Sequence, residues 1–191
     1  MSQSGLKRAL FASAMLIFCL GCAGQLSATY KANKERPVVN PPAAIRQGNW
    51  YGDKDEGSCV HATMVTLLRW QGRYAMADHW RRTYGNASGP EDLAAKLDRE
   101  HIRYAYTSEQ RDVGFLEWAC RTRRGCGVAI QGGQHMIALV HLDAQWAGLL
   151  DDNATNHYIW VPRERFIAEW LASDSWAVTP LYAPAAPLPP S

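Results

Sequence analysis

Apolar residues Val60, Met64, Leu67 and Leu68 recur at helical spacing, which predicts a helix that opens at Cys59, buries one face and stops near Gln71-Gly72. A second helix is expected over 76–84. Ser88-Gly89-Pro90-Glu91-Asp92 has the polar cap and early proline of a third, and Leu93, Ala94 and Leu97 supply its buried face over 91–100. A short strand follows over 102–106, and Phe115, Leu116, Trp118 and Ala119 predict a helix that ends at the loop between Cys120 and Cys126. The pattern then changes to short apolar runs, which predict strands over 127–130, 136–142, 146–150 and 158–161. A last helix begins at Pro162-Arg163-Glu164-Arg165 and carries Phe166, Ile167 and Trp170, and a last strand covers 176–179. Helices first and an antiparallel sheet afterwards predict an α+β domain over 49–182.

The ends of the chain read differently. Lys7 and Arg8 precede an apolar run over 9–20 and then Gly21-Cys22-Ala23, the layout of a bacterial signal peptide over 1–22. The run is too short to span a bilayer comfortably. Leu20-Gly21-Cys22 resembles a lipoprotein signal with Cys22 as the acylated residue, whereas Leu26-Ser27-Ala28 suits an ordinary signal peptidase. Both routes predict export. The first predicts a lipoprotein anchored at the membrane of the cell envelope, and the second a periplasmic or secreted protein. Residues 23–48 hold Pro37, Pro41 and Pro42 and read as a tether, and 183–191 read as a Pro/Ala tail.

The chain has 191 residues, 47% of them hydrophobic and 20% charged, enough for one domain with a core. A net charge of +2 without a basic stripe argues against nucleic acid as a partner. Export shifts cysteines toward pairing, and Cys120 and Cys126 flank a loop short enough for a disulfide. That leaves Cys59 as the odd thiol. No Cys or His pair has zinc-ligand spacing such as C-x-x-C or H-x3-H, so neither metal nor cofactor is expected.

Cys59 stands at a helix start, where the dipole favours the reactive thiolate. His135 opens the apolar run 136–140 behind Gly132-Gly133, at the mouth of a buried strand. His141 lies farther along the same strand, and His61 is set to point away from Cys59. On the neighbouring strand Asp151 and Asn153 share one face by period two, with Asp152 on the other, so one of that pair is placed to take the imidazole N–H.

Gly57-Ser58-Cys59 with its helix, the run from Gly132-Gly133-Gln134-His135 to Val140, Leu149-Leu150-Asp151-Asp152-Asn153 and the later helix carrying Glu169 and Trp170 resemble the papain-like cysteine peptidases. The likeness is closest to the bacterial double-glycine leader peptidases and their stand-alone relatives. It implies a papain-like fold, with the nucleophile helix packed on a C-terminal antiparallel sheet. It also implies a Cys-His-Asp/Asn site that works through an acyl-enzyme on a peptide or protein substrate. The orienting residue of that family follows the histidine by about sixteen positions, which selects Asp151, with Asn153 as understudy. Its oxyanion Gln, about six positions before the cysteine, is Asp53 here, and an ionised carboxylate opposes an oxyanion. Asn49 is the alternative donor. Two other readings share these residues: a catalytically inactive papain-fold module that binds peptide at the envelope, and a cell-wall amidase.

Overall fold

The computed structural model describes residues 40–50, 58–85, 88–108 and 111–182. Three helices come first: α1 (Cys59–Trp70), α2 (Tyr74–Thr83) and α3 (Pro90–Arg99). Then β1 (Tyr104–Thr107) and α4 (Val113–Arg121) lead into β2 (Cys126–Ile130), β3 (His135–Leu142), β4 (Trp146–Leu150) and β5 (Ile159–Pro162). The described chain closes with α5 (Arg163–Ala172) and β6 (Ala177–Pro180). The six strands form one antiparallel sheet in the order β1-β6-β2-β3-β4-β5. This is the expected α+β arrangement.

Alternation along β3 sorts the core. Met136, Ala138 and Val140 pack into the cluster built by Met64, Leu67 and Leu68 of α1, whereas Ile137 and Leu139 are buried outside that cluster. Both central strands, β2 and β3, are therefore covered on two faces over most of their length. Gly127 of β2 permits the closest packing, since a Cβ there would overlap the Met136 side chain and crowd Thr63. Thr63 itself donates from Oγ1 to the Met136 carbonyl at 2.9 Å, a buried bond between α1 and β3.

Several expectations are corrected. The strand expected over 102–106 starts at Tyr104, because the Ile102 N–H donates to the Leu97 carbonyl at 2.9 Å and closes α3. Part of the expected tether belongs to the folded body: Ile45, in a 3-10 turn over Ala43–Ile45, is 6% exposed and joins the core. The disulfide between Cys120 and Cys126 is not formed. Both are free thiols, Cys120 aimed from α4 at the Leu139 carbonyl (4.0 Å) and Cys126 fully buried at the start of β2. Burial raises both thiols well above the ordinary range, so they behave as apolar core residues. The signal peptide, Cys22, Asp53 and the tail lie outside the described residues.

Candidate active site

Cys59 is the first residue of α1 and is half-buried. Ser58 before it is fully buried and tightly held: its N–H and its hydroxyl donate to Asn49 Oδ1 at 3.0 and 2.5 Å, and its Oγ accepts the Trp50 N–H at 2.6 Å. Asn49 also reaches the other side of the site. Its backbone N–H donates to the Asp152 carbonyl at 2.9 Å, and its Nδ2 to Asn153 Oδ1 at 3.3 Å. The side chain considered for an oxyanion thus ties the nucleophile helix to the turn after β4.

That turn carries the acids. β4 ends at Leu150, and Asp151 Oδ1 accepts the Asn153 N–H at 2.9 Å in a tight side-chain turn. His135, 6% exposed at the start of β3, places Nε2 3.1 Å from Asp151 Oδ1 and 3.5 Å from both Asp152 Oδ1 and Asn153 Nδ2. The Cys59 thiol is the other group that acts on the His135 ring, and the two shift each other's acidity.

Burial opposes charge on every member of this group, yet partners reverse the outcome for three of them. Burial raises the Cys59 thiol, but the hydrogen bond and positive charge of His135, with the Met136 and Val60 N–H groups, hold it below the ordinary range. Burial likewise disfavours the imidazolium, and the bonds to Asp151 and Cys59 with the nearby acids lift His135 to about 10. Asp151 is held below the usual carboxylate range against burial by His135 and the Asn153 N–H. Asp152 goes the other way. Burial pushes it well above that range, opposed by the His135 charge and reinforced by Cys59 and Asp151. Neither Asp152 oxygen has a hydrogen-bond partner among the described residues, and His135 Nε2, at 3.5 Å from Oδ1, is the ion-pair contact it makes there. Burial therefore favours the protonated form of Asp152, while His135 favours the ionised form of Asp151.

Asp152 is the member that sequence reasoning missed. Period two put it on the far face, but the strand has ended by then, and in a turn that alternation lapses. His135, Asp151 and Asp152 also bring one nitrogen and two carboxylate oxygens within 4.8 Å of one another, a donor set that suits a divalent ion once Asp152 loses its proton. The other histidines lie elsewhere. His61 stacks on Tyr84 with its Nε2 3.1 Å from Ser88 Oγ, and His141 lies beyond a bulge in β3, 2.8 Å from Asp143. The site opens into a cavity of about 490 Å³ lined by Cys59, Val60, Gln134, His135, Met136 and Trp176, among others.

No protein-family model and no curated protein matches the sequence. Solved structures do. A double-glycine-motif protease from an AMS/PCAT transporter, determined with its leader peptide, covers 75% of this chain and 99% of its own at 14% identity and a TM-score of 0.46. A Bacillus anthracis protein assigned as a C39-like peptidase covers 78% of this chain and all of its own at 11% identity and a TM-score of 0.54. With helices leading into one antiparallel sheet, and with that second likeness, this chain has the papain-like fold of the C39-type cysteine peptidases.

Proposed function

We propose that this chain is a thiol hydrolase that cleaves peptide bonds through an acyl-enzyme, with Cys59 as nucleophile, His135 as acid and base, and Asp151 as the residue that orients His135. One observation carries the reading. A half-buried thiol at a helix start is held acidic by a buried imidazolium that a carboxylate backs. A cysteine serving only the core would resemble Cys120, whose thiol burial alone pushes up.

The chemistry follows from these positions. The Cys59 sulfur attacks the scissile carbonyl carbon, and the carbonyl electrons move onto oxygen, where the Cys59 backbone N–H is available because a helix's first turn leaves its N–H groups without intrahelical partners. Collapse breaks the C–N bond, and the leaving amine takes the His135 proton. Neutral His135 then removes a proton from water, whose oxygen attacks the thioester. The acid leaves, and thiolate and imidazolium are restored.

The test is the alkylation rate of Cys59 by iodoacetamide as a function of pH, followed by mass on the Cys59 peptide, beside His135→Ala. Rapid labelling is expected well below the ordinary thiol pKa of about 8.5, with a loss of roughly tenfold in the variant near pH 6. Labelling that rises only near 8.5 and ignores His135 overturns the proposal and favours a peptide-binding module without turnover.

A further inference from the structure

The cavity beside Cys59 does not end there. A second, of about 830 Å³, continues from it, and the two share Gly89, Pro90, Asp174 and Trp176. Its floor is apolar, with Leu93, Leu97, Tyr104 and Val178. Its charged lining is mostly acidic: among the described residues the joined groove presents Glu91, Asp92 and Asp174, the His135 imidazolium is taken up by Asp151 and Cys59, and there is neither Lys nor Arg. Asp92 is answered by Lys96 at 2.6 Å and by Ser88 at 2.5 Å. Asp174 is exposed, and no cation or donor among the described residues is paired with its carboxylate.

The backbone and its neighbours set where that carboxylate lies. Asp174 and Ser175, between α5 and β6, have φ of +66° and +55°, left-handed values that side chains other than glycine disfavour. The end of α5 is tied to the turn before His135, for the Gln131 N–H donates to Glu169 Oε1 at 3.0 Å and the Gly132 N–H to Ser173 Oγ at 2.9 Å. The Asp174 side chain then lies against Gly133, two residues before His135. A Cβ on Gly133 would stand 2.7 Å from Asp174 Oδ2.

We propose that Asp174 is a cation subsite: its carboxylate binds the ammonium or guanidinium of a Lys or Arg side chain of a peptide lying in the groove, with Glu91 adding to the attraction. The substrates are then basic peptides whose apolar side chains rest on Leu93, Leu97 and Tyr104. This rests on the cleft being a peptide hydrolase site, and the test keeps the two apart.

Chloroacetyl tripeptide amides with Arg at each position in turn are compared with citrulline counterparts, which keep the shape and remove the charge. The readout is the rate of Cys59 alkylation, normalised in each protein to uncharged iodoacetamide. At one or more positions the Arg compound is expected to react roughly three- to fivefold faster, as an exposed ion pair allows. The ratio should shrink with added salt and approach one in Asp174→Asn, a substitution that tolerates the left-handed backbone. Ratios near one at every position in the unaltered protein, or a ratio that survives in Asp174→Asn, overturn the subsite. Failure of the hydrolase reading looks different, because iodoacetamide itself is then slow.

Discussion

Asp151 and Asp152 are adjacent in the chain but their acidities are shifted in opposite directions, and substitution separates their roles. Asp151→Asn removes the anion that supports the imidazolium, so the His135 pKa, about 10, is expected to fall by roughly one unit or more in a 15N-histidine NMR titration. Asp152→Asn leaves the hydrogen bond from His135 to Asp151 in place, and because burial favours the protonated form of Asp152, His135 should fall by less than in Asp151→Asn. An equal fall in both variants would mean that Asp152 is ionised. The same shift has a sign in stability. Folded His135 keeps its proton up to about 10, whereas the unfolded side chain releases it near about 6.5. Its contribution is complete below the lower value and is lost as pH rises through the upper one. Cys59 and His135 were legible because helix starts and strand mouths leave marks in the pattern. The state of Asp152 was not, since charge in a buried cluster depends on neighbours that one stretch of sequence does not reveal.

Among the elements, the turn between β2 and β3 is the most constrained, with Gln131, Gly132 and Gly133 all at positive φ. The two glycines differ in their surroundings. A Cβ on Gly132 meets nothing within 4 Å, whereas one on Gly133 meets the Asp174 carboxylate. Both Gly132→Ala and Gly133→Ala are expected to cost about 1–2 kcal/mol in urea melts through backbone strain. Gly133→Ala should in addition displace the carboxylate and reduce the preference for Arg over citrulline compounds. If Gly132→Ala reduced that preference equally, Asp174 would not act through its place on Gly133. Strand existence and order along the chain were readable from apolar runs, and the 146–150 strand was read with its observed limits. The β3 bulge that re-aims His141, and the pairing of β6 between β1 and β2, were not, because both depend on contacts distant in sequence.

For the whole molecule, the folded body begins earlier than composition suggests. Proline and polar residues disguise 40–48 as a tether, but Ile45 lies in the core and Arg69 of α1 donates to the Arg46 carbonyl at 2.9 Å. Ile45→Ala is expected to lower unfolding free energy by about 2–4 kcal/mol by chemical denaturation, the ordinary result of emptying a core position. A loss below about 1 kcal/mol would return the segment to the tether. The bond from Thr63 to the Met136 carbonyl has a consequence in time. It joins the turn of α1 that follows Cys59 to the residue after His135, so histidine and thiol meet only once helix and sheet have docked. Before docking, Cys59 is an ordinary and mostly protonated thiol. The partnership with His135 that lowers the Cys59 thiol is therefore a property of the packed domain, acquired only when α1 lies on the sheet.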